Sequence, residues 1–426
     1  MKTFPFLTIG LFLCAALVVG MAGCKYDVAE PLYDTPVVPG TATPTITGIV
    51  PAGSAGPGVN TITINGTNFS GAIDTNAIHS ANVDTTIVYS GIYFSGPSNT
   101  VPAEIMELSS TSIKVRRPNL AADSCTVKVV PSKALVAAKF GPYKIAQVIQ
   151  KNGSFLDNVD LSVVAVDNSE NLYVVYTGTR TIYKVTPTGV KTTVGVATRA
   201  PTDARIGPGG KLYLTGNNRS IEVVDLQADT VGRWLQLPAG RVVKFGDFDA
   251  NGYFYTAGTR SQLVIVAPNL SVIQTGLYAA DDVLGIRVYN GYVYLAVQAA
   301  AGVTPSLAIY KRSLDSVAIN GHLGPAQLVL NLDATQFASR TIKAFTFSAN
   351  GTMYLGTDSP DPLLILDPTT SQLDYFYKGI APSYCKHFYW GKGNYLYFIS
   401  GNTSPAQEWT IYRVDMGTTG APYYGG

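Results

Sequence analysis

Two sets of basic side chains carry the chemistry that this sequence suggests. The first set comprises Lys244, Lys343 and Lys386. Each stands eleven residues before a tyrosine that belongs to a repeated sequence unit described below. The second set follows three such tyrosines within seven residues and comprises Arg180, Arg219 and Arg260. Fixed cations around a funnel of low dielectric attract carboxylates and acidic sugars. These six residues are therefore our candidate ligand-binding residues; the alternative is that the arginines tie repeats together and the lysines are solvated.

Catalytic patterns are missing from the sequence. Its three histidines, His79, His322 and His387, are scattered. The carboxylates near the expected inner strands stand at different offsets from the tyrosines: Asp157, Asp160, Asp203, Asp247 and Asp281 or Asp282. No Ser-His-Asp spacing and no glycine-rich phosphate loop occurs. We therefore predict no catalytic residue, no metal ligand and no cofactor.

The N-terminal 24 residues are typical of an export signal. Lys2 supplies a positive start, and the apolar run from Phe6 to Val19 is too short for a permanent membrane span. Met21-Ala22-Gly23-Cys24 then resembles the bacterial lipobox, in which the cysteine thiol accepts diacylglycerol. The resemblance implies a lipid anchor on Cys24 and a place in the bacterial cell envelope, at the outer membrane or cell surface; an ordinary cleaved signal is the alternative.

Two cysteines remain after the signal and the lipidated residue are set aside. Cys125 and Cys385 fall in different predicted domains and in apolar surroundings. We therefore predict two buried free thiols and no disulfide framework.

The composition favours short strands joined by tight turns. Among 426 residues only 14% are charged, whereas 42 glycines, 25 prolines and 26 tyrosines are present. A formal net charge of +2, with no basic run among aromatic residues, argues against nucleic acid as a partner. Residues 25–43 contain three prolines and predict an extended linker.

The first folded region shows an alternating strand pattern. Ile62 and Ile64 in Thr61–Ile64 share one predicted buried face. The stretch Ile62-x-Ile64-x-Gly66-x-Asn68-Phe69, and the segment from Ser109 to Pro118 that carries Ile113 and Val115, are similar to the IPT/TIG family. The resemblance implies an Ig-like β-sandwich over residues 44–146, with residues 71–90 as a long loop. Such domains serve as spacers or adhesive modules.

The second region repeats a unit of strand, turn and tyrosine-bearing strand. The recurring tyrosines are Tyr173, Tyr213, Tyr255, Tyr294, Tyr354 and Tyr397, with spacings of 40, 42, 39, 60 and 43 residues. A period near forty is typical of propeller blades. The fold class that we predict is all-β: an Ig-like β-sandwich followed by a six-bladed β-propeller over residues 147–420. Because an open ring would leave unpaired edges, we expect residues 147–150 to complete the last blade.

The loops after three tyrosines resemble those of NHL-repeat propellers. The matching stretches run from Tyr173 to Arg180, from Tyr213 to Arg219 and from Tyr255 to Arg260, although the usual aspartate is missing. Some propellers of this kind are lactonases that hold a divalent cation with Glu, Asn and Asp, and no matching set occurs here. We therefore predict a membrane-anchored, non-catalytic binding protein whose propeller face captures a glycan, peptide or protein; a metal-dependent lactonase-type hydrolase is the alternative.

Overall fold

A computed structural model of the chain describes residues 42–69, 91–131, 136–153, 155, 159–317, 321–382, 384–401 and 409–423. Cys24, the signal segment, residues 25–41 of the linker and the 71–90 loop with His79 lie outside these residues. No helix among the described residues is long and apolar enough to cross a membrane.

The first domain is a sandwich of two sheets. One sheet has the order β1-β3-β7-β6 and the other β2-β9-β8-β4-β5. The strands are β1 Thr45–Val50, β2 Ser54–Ala55, β3 Thr61–Thr67, β4 Gly91–Ser95, β5 Thr100–Pro102, β6 Ile105–Leu108, β7 Ser112–Arg116, β8 Ala122–Val130 and β9 Ala138–Ile145. Alternate residues of β3 and β7 are buried, since a strand points successive side chains to opposite faces. The predicted burial of Ile62 and Ile64 is confirmed.

Six four-stranded sheets follow, and each forms one blade of a propeller. Blades one and two comprise β11 Leu161–Val166, β12 Leu172–Tyr176, β13 Thr181–Val185, β14 Lys191–Val196, β15 Asp203–Gly207, β16 Lys211–Asn218, β17 Ser220–Asp225 and β18 Thr230–Gln236. Blades three and four comprise β19 Phe245–Phe248, β20 Phe254–Gly258, β21 Ser261–Val266, β22 Val272–Gln274, β23 Asp282–Tyr289, β24 Tyr292–Gln298, β25 Leu307–Ser313 and β26 Gln327–Asn331. Blade five comprises β27 Ile342–Phe347, β28 Met353–Thr357, β29 Leu363–Leu366 and β30 Leu373–Tyr375.

Blade six takes its outer strand from the start of the propeller. Its own strands are β31 His387–Trp390, β32 Tyr395–Ser400 and β33 Thr410–Asp415. The fourth strand, β10 Ile149–Lys151, pairs antiparallel with β33, with Gln150 opposite Arg413. The predicted closure is therefore confirmed, with the strand starting two residues later than expected, and the predicted all-β sandwich-and-propeller class is what the chain adopts.

In blades one and three the recurring tyrosine holds the turn between the first two strands. The Tyr255 hydroxyl donates to Asp249 over 2.8 Å, and Tyr173 donates to Asp167 over 3.0 Å. Both aspartates also accept backbone N–H groups of the same turn. The Tyr397 hydroxyl of blade six instead donates to Glu170 of blade one over 2.9 Å.

The sandwich is docked on the outer strand of blade five through an ion-pair cluster. Arg116 donates to both carboxylate oxygens of Asp374 at 2.9 and 3.0 Å, and its Nε lies 3.2 Å from Glu104. Lys378 also reaches Glu104 over 2.8 Å. Two-point pairing of a guanidinium with a carboxylate fixes orientation as well as distance, so the cluster sets the angle between the domains.

Backbone contacts support the same interface. The Gly58 N–H donates to the Tyr377 hydroxyl over 2.7 Å, and Asn60 bonds the backbone of Tyr375 and Tyr377. Gly58 and Gly417 adopt φ angles of 77° and 67°, and a Cβ on Gly58 would lie 2.8 Å from the carbonyl oxygen of Met416. Glycine is required there because the backbones of the two domains touch.

Both remaining cysteines are buried free thiols, as predicted. Cys125 lies in the core of the sandwich and Cys385 in that of blades five and six. Burial raises the pKa of both thiols, which disfavours the reactive thiolate.

Candidate functional site

The three predicted lysines meet in one cavity at the mouth of the central channel. Lys244 and Lys386 immediately precede the inner strands β19 and β31, and Lys343 is the second residue of β27. Strands of a propeller run outward from the axis in the same order in every blade, so these positions share one face. All three line a cavity of about 380 Å³, which we call the mouth.

The lysines differ in how far their charge is neutralised. Lys386 pairs with Asp160 over 2.5 Å, and its ammonium lies 4.5 Å from the centre of the Trp409 ring. Lys343 lies 3.5 Å from Asp358. Lys244 has no carboxylate within ion-pair distance among the described residues, and none of the described residues that line the mouth is acidic. The mouth therefore presents an excess of positive charge.

The walls of the mouth are largely apolar. Phe245 and Leu284, which are partly exposed, line the cavity together with the buried residues Pro201 and Ile342. Thr177 also lines the cavity. Its hydroxyl is buried without a hydrogen-bond partner among the described residues, and an unpaired buried hydroxyl costs free energy.

Below the mouth, a group of buried charges fills the channel. We call this group the channel network, and its members are Asp203, Arg205, Asp247, Arg287, His387 and Tyr389. Arg205 lies 2.8 Å from Asp203 and 3.9 Å from Asp247, and Arg287 lies 3.8 Å from Asp247. Both guanidinium groups lie over the Tyr389 ring, at 5.7 and 5.9 Å from its centre.

The channel network contains two acidic side chains, two guanidinium groups and one imidazole. Burial opposes the ionised form of Asp203, but Arg205 and His387 together hold its pKa below the ordinary value. Burial raises the pKa of Asp247 despite the two arginines. Burial, with the repulsion of Arg205 and Arg287, lowers the pKa of His387 and keeps its imidazole neutral. Two carboxylates thus face two guanidinium groups.

The C-terminal segment Met416–Tyr423 packs against the far ends of inner strands of the propeller. The Ala421 N–H donates to the Phe347 carbonyl over 3.0 Å. The Tyr423 hydroxyl accepts the Phe347 N–H at 2.9 Å, and the ring lies 5.1 Å from the Arg287 guanidinium. The mouth lysines therefore lie at the opposite end of the channel from this segment.

The channel carboxylates are engaged by protein groups. Asp203 accepts the Gly246 N–H at 3.2 Å besides its contacts to Arg205 and His387, and Asp247 accepts the Val288 N–H at 2.9 Å. Across the described ranges, no group of three or more His, Cys, Asp or Glu side chains is arranged to hold a metal ion.

The three predicted arginines do not join the lysines. Arg180 donates to the Thr198 carbonyl over 2.6 Å, and the Arg260 backbone N–H bonds Asp281 and Asp282 of the next blade. Arg219 lines a separate cleft between blades one and two. All three side chains are exposed. The arginines share a position in the repeat but not an environment.

The channel network was missed at the sequence level, although a signal for it exists. Each recurring tyrosine has a cross-strand partner on the inner strand: Ala165, Arg205, Asp247, Arg287, Thr346 and Tyr389. Three of these partners are charged in a chain with few charges. Pairing each tyrosine with its partner would have found most of the network.

Comparison with known proteins supports both domains. Residues 44–145 match the family model of the IPT/TIG domain. No curated protein matches the chain in sequence.

Two solved structures share the propeller, and a third superposes less well. A luciferin-regenerating enzyme superposes with a TM-score of 0.52 at 14% identity, covering 65% of this chain and 98% of its own. A candidate gluconolactonase gives a TM-score of 0.50 at 10% identity, covering 65% and 94%. An auxiliary nutrient binding protein from Bacteroides thetaiotaomicron gives 0.49 at 10% identity, covering 88% and 97%. At such identities the likeness shows the fold alone.

Proposed function

We propose that this protein is a non-catalytic binding protein of the bacterial cell envelope, and that its mouth captures a carboxylate-bearing ligand such as an acidic sugar. One observation carries the proposal: Lys244, Lys343 and Lys386, from three different blades, converge on a single cavity whose described lining contains no acid. Repeat geometry alone does not require a lysine at any of these positions, because the other blades lack one there.

The chemistry of the mouth suits a compact anion with an apolar face. The Lys244 ammonium is available for a carboxylate, and the two paired lysines add to the local potential. Charges are less screened in a cavity with apolar walls than on an open surface, so the attraction is stronger there. The ring carbons of a sugar can pack on Phe245 and Leu284, which are partly exposed, while its carboxylate meets the lysines.

Anchoring through Cys24 is part of the same proposal. The lipobox-like Met21-Ala22-Gly23-Cys24 supports it, and the linker over residues 25–43 provides distance from a membrane. Labelling of cells with a radioactive fatty acid tests this step. We expect label on the wild-type protein and none on a Cys24→Ala variant, while label on both would contradict the anchor.

The binding function is tested on the purified full-length protein. Calorimetric titration with galacturonate and glucuronate should give saturable binding, while the neutral sugars galactose and glucose should bind far more weakly. Equal binding of neutral and acidic sugars, or no binding of any, would overturn the proposal. Turnover of a sugar lactone with added calcium or zinc would instead establish a hydrolase.

A further inference from the structure

A second basic cavity lies beside the mouth. Arg199, Arg219 and Arg233 line a cleft of about 790 Å³ between blades one and two, which we call the arginine cleft. Asn218 and Gln236 also line it and offer amide groups. The three guanidinium groups come from a connection, a loop and an outer strand, so no single local repeat brings them together.

The charge of the arginine cleft is not balanced. Glu222 is the one acid among the described residues that line it. Its carboxylate is already engaged, because it accepts the Thr198 N–H at 3.1 Å and the Thr198 hydroxyl. Arg233 donates to the neutral Gln236 amide over 3.0 Å. Several exposed guanidinium groups thus face one occupied carboxylate, an arrangement that favours an anion.

One short connection separates the two cavities. The segment 198–202 runs from the outer strand β14 of blade one to the inner strand β15 of blade two. Thr198 and Arg199 line the arginine cleft, whereas Ala200, Pro201 and Thr202 line the mouth. The two cavities therefore lie on either side of one connection.

We propose that the mouth and the arginine cleft are two subsites for one extended ligand, an acidic oligosaccharide with a carboxylate on successive sugar units. The inference rests on the proposed function, since the mouth holds the first unit. The cleft then binds a later unit through Arg199 and Arg219. Joining two subsites on one ligand makes the second contact intramolecular and raises the affinity of longer chains.

The lining residues favour a saccharide over single-stranded nucleic acid. Nucleic-acid grooves use aromatic faces on which successive bases stack. The described lining of the arginine cleft contains no aromatic residue, and that of the mouth contains Phe245 alone. Hydroxyl and amide groups at Ser220, Asn218 and Gln236 suit the hydroxyls of a sugar chain instead.

The experiment compares chain lengths on the full-length protein. Galacturonate and oligogalacturonates from dimer to octamer are titrated into wild type, a Lys244→Ala variant and an Arg199→Ala/Arg219→Ala double variant. The matched control is Lys139→Ala/Lys392→Ala, which also removes two exposed positive charges, one on the sandwich and one on a β31–β32 turn. Far-ultraviolet circular dichroism and melting temperature establish that each variant is folded.

We expect affinity to rise with chain length in wild type and in the control. The cleft variant should bind the monomer like wild type but lose about a hundredfold in affinity for the octamer, which corresponds to about tenfold for each of the two charged donors removed. If the octamer binds with no higher affinity than the monomer, or if the cleft variant has the same affinities as the control, the two-subsite inference is wrong. Either result would leave the proposed binding of one unit in the mouth unaffected. Monomer binding that Lys244→Ala does not weaken would refute the proposed function itself. Tighter binding of an oligothymidylate than of the octamer would refute the ligand class.

Discussion

His387 of blade six and Asp203 of blade two are hydrogen-bonded in the channel, with Nε2 and Oδ1 2.9 Å apart. The other ring nitrogen, Nδ1, lies 3.4 Å from the Val164 N–H of blade one, which can donate only to an unprotonated nitrogen. The neutral imidazole therefore carries its proton on Nε2 and donates it to Asp203. One side chain thus connects three consecutive blades around the closure point of the ring.

The lowered pKa of His387 makes stability depend on pH. Below the ordinary pKa of 6.5 the unfolded chain binds a proton that the folded protein excludes, so stability falls as pH falls. The loss has a ceiling of about 1.4 kcal/mol per pH unit below that value. Denaturant unfolding between about pH 7 and pH 5 measures it.

A His387→Gln variant should show a smaller loss of stability over the same pH range, because it removes the titrating group. The control is His322→Gln, a histidine outside the channel, which leaves His387 and its contacts in place. If His387→Gln and wild type lose stability equally, the imidazole does not exclude the proton.

Lys244 is the mouth lysine whose charge is least neutralised, so it should matter most for anion binding. Lys244→Ala should weaken galacturonate binding by about tenfold, whereas Lys244→Arg should retain most of it because the charge remains. Raising the salt concentration should reduce the difference between wild type and Lys244→Ala, since salt screens the attraction. A salt-independent difference would point to lost packing rather than lost charge.

The closing strand β10 can be broken at one backbone group. Gln150 faces Arg413 of β33, and proline at position 150 removes the N–H that this pairing uses. Gln150→Pro should lower the melting temperature by roughly 5–10 °C. Gln150→Ala keeps the N–H and should melt close to wild type. Equal melting of the two variants would show that β10 does not hold the ring closed.

The ion-pair cluster at Arg116 should make the two domains unfold together. The Arg116 side chain is 12% exposed, and its partners Asp374 and Glu104 are about one-third exposed. Solvent weakens such pairs, so we expect Arg116→Met to cost only about 1–2 kcal/mol. Calorimetry should then resolve two transitions where wild type shows one. The exposed pair Lys114–Glu107 gives the control, since Lys114→Met should leave one transition.

The blades could be predicted from the sequence because their repeat is local. Tyr255 reaches Asp249 within one turn, and the same arrangement recurs at Tyr173 and Asp167. The closure of the ring could be predicted because the last blade would otherwise have left an unpaired strand edge. The position of the mouth lysines followed as well, because each is fixed by its distance along the chain from a blade tyrosine.

Cross-strand pairing with the tyrosines points to most members of the channel network. The contacts among those members, and the arginine cleft, could not be predicted because the partners are far apart in sequence. Asp203 and His387 are 184 positions apart, and Arg199 lies in a connection that the repeat does not define. The surroundings of the recurring arginine side chains could not be predicted either. A repeat fixes where a backbone position lies, whereas the end of a long exposed side chain depends on its neighbours, as Arg180 and Arg219 illustrate.

The contacts that Ala421 and Tyr423 make at the far end of the channel bear on the rates of ligand exchange. With one end occupied by protein, a ligand held in the mouth must leave by the route through which it entered. The lysines that speed its arrival then also retard its departure, so a single substitution at the rim should alter both rate constants. Evolution can therefore adjust the residence time of a ligand in this site, whereas passage of the ligand from one face of the ring to the other is not available to it.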